Sequence, residues 1–376
     1  MKKIAVWTLV LAVGLLAFAA CNKGGAPGAS KSQDMLAFMP KNVAGVLFID
    51  VNRAMNTEFV TKTLADPKNA AGLQDFIKKS GLDPQKDISY VALGMTGSLS
   101  GTPSGFAIIN LKYDKAALLA KMKENEAKFI EGEYEGIATI QPIEEPKVEE
   151  AKGEKAEAAE GKDVEPKAEE KTPETPEKPE KPMLGAFLDA SNIAVGPVDD
   201  VKSVIDVLKK KGPSAKDNVE LAALIKDVNK TAIAWGVVSF NPEDIKKMIE
   251  STPMLSSLAS LKAVTMHFDY ANKTLDMAIR AVTADAGKNK EIADMLNGFK
   301  SMGALAAGEK PEIGELLNKI EITSGTDNVT IKALLPEELL TKLSKTVESE
   351  LKNKVGAEVK TDEKPAEEKK AEEIKK

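Results

Sequence analysis

One cysteine, one histidine and two arginines stand in a chain of 376 residues, and aromatic side chains make up only 5% of it. Each scarcity removes a class of chemistry. With Cys21 as the sole thiol no internal disulfide forms, and with His267 as the sole imidazole the usual Cys/His zinc sites and the HExxH arrangement have too few ligands. The cations are almost all lysine; Arg53 and Arg280 are the only guanidinium groups. Arginine supplies the planar fork that reads phosphates and base edges. The formal net charge is −6, and residues 142–182 alone hold 14 acids and 8 lysines, a balance of 8 − 14 = −6. The rest of the chain is therefore near neutral, which argues against nucleic acid as a partner.

Catalytic motifs are missing as well. Gly97-Ser98-Leu99-Ser100-Gly101 lacks the Gly-x-Ser-x-Gly elbow, and no dinucleotide or Walker-type glycine loop occurs. Asp199-Asp200 and Glu337-Glu338 are paired acids, but both open a predicted helix, where acids stabilise the macrodipole. His267 lies on the polar side of an alternating strand near Asp269 and reads as a solvated histidine, since no nucleophile or ligand partner accompanies it. The expectation is a protein that is not an enzyme, with no metal site and no cofactor.

What is present begins at the N-terminus. Lys2-Lys3 precede 17 uncharged residues, Ile4–Ala20, and then Cys21 and the polar run Asn22-Lys23-Gly24-Gly25. Basic start, apolar stretch and small-residue end form the signal-peptide pattern; 17 residues sit at the lower margin of the roughly 20 a spanning helix needs, so an uncleaved anchor is the alternative reading. Leu16-Ala17-Phe18-Ala19-Ala20-Cys21 resembles the lipobox of bacterial lipoproteins, with Phe18 where that class prefers leucine. The resemblance covers the first 21 residues. It implies cleavage between Ala20 and Cys21, lipidation of Cys21, and membrane lipid as the partner of the acylated cysteine. Several acyl chains hold a protein firmly where one holds marginally. Asn22 is not aspartate, so the sorting rule of enteric lipoproteins implies an outer membrane location facing the periplasm in a diderm source, and the outer face of the cytoplasmic membrane otherwise.

The organisation expected is a signal peptide at 1–20, a Gly/Ser/Lys-rich tether at 21–34, a first lobe at 35–212, a second lobe at 213–355 and a charged tail at 356–376. The Glu/Lys/Pro-rich segment 142–182 has no aromatic residue and reads as a disordered insert in the first lobe. Strand patterns recur at 43–51, 88–95, 105–113, 136–143, 183–189 and 193–196, then at 231–240, 264–279 and 320–331, with helical patterns between them. Each half reads strand, helix, hairpin, helix, hairpin, helix, a duplication of element order. The predicted fold class is α/β (α+β), two similar lobes, each an antiparallel-rich sheet covered by helices. A non-catalytic binding or scaffolding role at the envelope follows, with an envelope protein as the further partner. The alternative is a carrier of an apolar ligand or lipid in a pocket of the second lobe, with Trp235, Met266 and Met277 as candidate lining residues.

Overall fold

The computed structural model describes residues 34–97, 104–143, 181–283, 285–308, 310–347 and 349. Ala20, Cys21, the signal and tether, nearly all of the charged insert and the charged tail lie outside the described residues.

In chain order, β1 (Gly45–Ile49) leads into three helices, α1 (Val51–Met55), α2 (Glu58–Leu64) and α3 (Pro67–Ser80). Asp50 ends the strand by accepting a bond from Arg53 N at 2.9 Å, and Thr57 caps α2 through Val60 N at 3.2 Å. The break between α2 and α3 falls at Pro67, which occupies a first helical position. The pair β2 (Ile88–Thr96) and β3 (Ser104–Leu111) is followed by α4 (Lys115–Glu124), capped by Asp114. The helical pattern of the sequence ran on to Ile130. The chain instead leaves the helix at Asn125 and forms β4 (Phe129–Tyr134), which pairs with β5 (Ile137–Pro142). Glu135 and Gly136, both at positive φ, turn that hairpin. Then come β6 (Met183–Phe187), β7 (Asn192–Pro197), α5 (Val198–Leu208) and α6 (Val219–Lys226).

The second half repeats the order. Strand β8 (Ala234–Ser239) leads to α7 (Pro242–Ser251), with Asn241 as its cap and Pro242 at its start. The hairpin of β9 (Leu261–Ala271) and β10 (Thr274–Thr283) turns on Asn272 and Lys273, both left-handed. Helices α8 (Ala286–Ala306) and α9 (Pro311–Lys319) precede the hairpin of β11 (Ile320–Ser324) and β12 (Asn328–Pro336). Residues 337–347 form the last helix, α10.

All twelve strands belong to one antiparallel-rich sheet in the order β11-β12-β10-β9-β8-β1-β2-β3-β7-β6-β5-β4. Both lobes are sheet covered by helices, and they join edge to edge through the antiparallel pair β1–β8. Outward from that seam, β1-β2-β3-β7-β6 on one side matches β8-β9-β10-β12-β11 on the other. The first half adds the β4–β5 hairpin at its rim. The charged insert leaves the sheet after β5 and returns at β6, and these two strands pair with each other.

Directly paired residues share a face, so the register sorts every side chain. The front face carries Val46 and Phe48 of β1, Ala92 of β2, Phe106 and Ile108 of β3 and Trp235 and Val237 of β8. These form the largest core cluster with Val201, Val204 and Ile205 of α5, Leu221 and Ile225 of α6 and Met35, Leu36 and Met39 of the entering segment. The back face carries Ile49, Val91, Ile193 and Phe268, packed with Leu119 of α4. In the second half the back face meets Ile292 and Ala293 of α8 and Leu339 of α10. Ala54, Phe59 and Val60, from α1 and α2, join that second-half cluster beside Tyr270 and Leu335. Helices α1 and α2 of the first half therefore help to cover the core of the second.

Candidate functional site

The duplication breaks at one place. After β7 the chain turns onto the front face as α5; after β12 it turns onto the back face as α10. The front face of β9, β10 and β12 has no counterpart of α5 and carries none of the described core clusters. Its residues explain this. Thr265, His267 and Asp269 of β9, Asp276 and Arg280 of β10, and Thr330 and Lys332 of β12 all point to it, so a helix laid there would bury charge at a high desolvation cost. The alternating pattern of the sequence predicted one wet and one buried side for this hairpin, and the register shows it.

Two rows cross the three strands. Ala278 pairs with His267 on one side and Lys332 on the other, and in the next row Arg280 pairs with Thr265 and Thr330. Ala278, with the smallest side chain of the six, forms a depression. Around it lies a cavity of about 270 Å³ bounded by these residues and by Asp227 and Val228 just beyond α6. Arg280 binds Asp227 at 2.9 Å and Asp327 at 3.1 Å, both exposed acids, so these pairs contribute little to stability. Asn328 and Arg280 hold the Asp327 carboxyl below its ordinary pKa.

Trp235, Met266 and Met277 do not meet in one apolar pocket. Trp235 is on the front face, 1% exposed, stacked on Phe48 at 5.9 Å within the main core. Met266 and Met277 are on the back face, half-buried against the cluster around Phe268. An odd separation along β9 and its register with β8 put Trp235 and Met266 on opposite sides, which composition alone cannot show. Met266 also borders the cavity, because both its neighbours face it. Among the described residues no group of three or more His, Cys, Asp or Glu is placed to hold a metal ion, and no helix is long and apolar enough to cross a membrane.

The paired acids act as expected for helix starts, with added contacts. Asp200, in the first turn of α5, accepts bonds from Thr96 at 2.7 Å and Ser104 at 2.6 Å and so ties the ends of β2 and β3. Glu337, at the start of α10, accepts from the Tyr270 hydroxyl and from Lys62 at 2.9 Å. The Tyr270 bond, then the Lys62 bond, lowers its pKa from the ordinary value. Lys62 also pairs with Glu58, so this cluster pins α2 of one half to α10 of the other. Sequence reasoning missed Lys332 and Asp227 as neighbours of His267, because their approach depends on a strand register and a loop.

No family model matches this chain, and no curated protein does. Among solved structures it is similar to crystal forms III and I of TP0453. The TM-scores are 0.43 and 0.40 at 10% and 8% identity, covering 81% and 82% of this chain and 95% and 96% of those chains. Likeness at that level assigns this chain neither a family nor an activity.

Proposed function

We propose that this chain is a lipid-anchored, non-catalytic binding protein of the cell envelope, and that it meets its ligand or partner on the front face of its second half. The uncovered, charged face of β9, β10 and β12, with the cavity in it, carries this reading. An antiparallel sheet tolerates one wet face, but here the duplicated half shows what a covered version looks like, and the second half departs from it. The lipobox-like segment ending in Cys21 supports the anchor, and acyl chains on that sulfur would hold the protein at a membrane while the folded halves stay in water.

Site-specific crosslinking in cells tests the surface. A photoreactive side chain at Leu334, which is 58% exposed on the front face, is expected to yield a discrete adduct in the envelope fraction. The same probe at exposed Lys246 of α7 should not yield that adduct. Equal labelling from both positions, or none from Leu334, overturns the assignment of this face. Intact mass of the natural product tests the anchor: an unmodified thiol at Cys21 removes it.

A further inference from the structure

We propose that the cavity on the second half's front face binds a phosphate-type oxyanion, through Lys332, His267, Thr265 and Arg280. This deepens the reading above and rests on it. The argument is an excess of donors. Among the described residues the side chains of Lys332, His267 and Thr265 hold no hydrogen bond or ion pair, although Thr265 is only 5% exposed. Lys332 is exposed and His267 half-buried, so both reach the cavity as free donors that a ligand rich in acceptors can engage.

The charges at the cavity are Arg280 and Lys332 against Asp227 in its lining and Asp327 on Arg280, a formal balance of 2 − 2 = 0 with His267 neutral, in a chain whose total is −6; an oxyanion that displaces the two acids from Arg280 meets both cations. One of the two arginines and the only histidine of the chain meet here. Asp227 and Asp327 hold the two ends of the Arg280 guanidinium from positions 59% and 63% exposed. Exposed pairs of this kind are weak, so a multiply charged oxyanion can take their place on Arg280, while Lys332 and His267 donate from the opposite row. Thr265 adds a hydroxyl donor beside Arg280. About 270 Å³ lies at the small end of ligand cavities, enough for a phosphate and part of the group it is esterified to. The same chemistry is offered by a soluble phosphoester and by an anionic phospholipid headgroup.

The full chain is titrated with inorganic phosphate by calorimetry, alongside Lys332→Ala, Thr265→Val and the remote control Lys246→Ala. Loss of one charge-assisted contact should weaken binding about tenfold in each cavity variant and leave the control unchanged. A second arm uses vesicles of phosphatidylglycerol or phosphatidylcholine and the chain bearing Cys21→Ser, so that no acyl anchor contributes. Lys332-dependent flotation with phosphatidylglycerol alone assigns the headgroup as the source. Phosphate binding without it assigns a soluble phosphoester. The proposal falls if neither probe binds, or if folded Lys332→Ala and Thr265→Val bind as the parent does. If it falls while Leu334 still gives its adduct, the binding face stands and only its ligand class is lost.

Discussion

Trp235 and His267 face each other across the β8–β9 pair on the same side of the sheet, yet one is 1% exposed in the core and the other borders an open cavity. The boundary of the helical cover runs between them. Because the Trp235 indole N–H has no acceptor, Trp235→Phe breaks no hydrogen bond. Its cost should be packing alone, about 1–2 kcal/mol, below the roughly 3–5 kcal/mol typical of Trp→Ala. Urea denaturation measures both; a Phe variant as unstable as the Ala variant would mean the N–H bond exists after all.

Consecutive residues of β9 should respond in opposite ways. Met266→Ala removes a half-buried side chain from the back-face cluster and should cost about 1–2 kcal/mol. His267→Ala, one position on, faces the cavity and should stay within about 0.5 kcal/mol. Paired denaturation curves of the two variants read the register directly, since a slip of one residue would exchange the outcomes.

Gly94 and Phe106 are paired on the front face of β2 and β3, and a Cβ on Gly94 would clash with the Cζ end of the Phe106 ring. Phe106 is 3% exposed, so the ring has nowhere to go. Gly94→Ala should destabilise by about 1–3 kcal/mol through overpacking. Thermal melts of Gly94→Ala with and without Phe106→Leu test the cause, because the smaller partner should recover most of the loss.

Much of this fold was readable in the chain because period and caps are local. Thr265, His267 and Asp269 alternating with Val264, Met266 and Phe268 announced a two-faced strand. Asp114, Asn241 and Pro242 are of the residue types that open helices, and α4 and α7 start at them. The duplication of element order survives as the mirrored strand sequence on either side of β1–β8. What was not readable depends on distant pairing. Phe129 and Ile130 looked like the end of a helix because Lys115–Ile130 lacks a break residue, and only pairing with Ile137–Pro142 makes Phe129–Tyr134 a strand. Trp235, Met266 and Met277 looked like one apolar set because composition carries no face; register across β8, β9 and β10 separates them. The cavity needed β12 beside β10 and the end of α6 above it, neither of which has a local signature.

The Glu337 cluster gives the molecule an acid limit. Tyr270 and Lys62 hold the Glu337 carboxyl below its ordinary pKa, which means its charged form is favoured in the folded state. A group lowered on folding contributes stability above its unfolded pKa and loses it as pH falls through the folded one. Glu337→Gln should therefore lower the Tm by about 2–4 °C at neutral pH, and the gap from the parent should close as the solution is acidified past the ordinary carboxylate range. Calorimetric scans at stepped pH decide this. A gap that persists in acid would mean that the hydrogen bonds of the neutral carboxyl, and not the charge, join α2 to α10.

The charged insert should be dispensable for folding. Its flanking strands already pair, Thr139 with Ala186 and Ile140 with Gly185, so the ends of the segment leave from neighbouring positions at one edge of the β5–β6 ladder. Closing such a gap with a short chain costs less entropy than closing it with a long one, and the dependence is only logarithmic. Replacing residues 145–180 by a short Gly/Ser turn should leave the Tm within about 2 °C or raise it slightly. The front-face cavity lies on the far side of the β1–β8 seam from this ladder, so ligand affinity should not change either. A fall in Tm of many degrees in the shortened chain would mean that the segment packs on the sheet and contributes to the core.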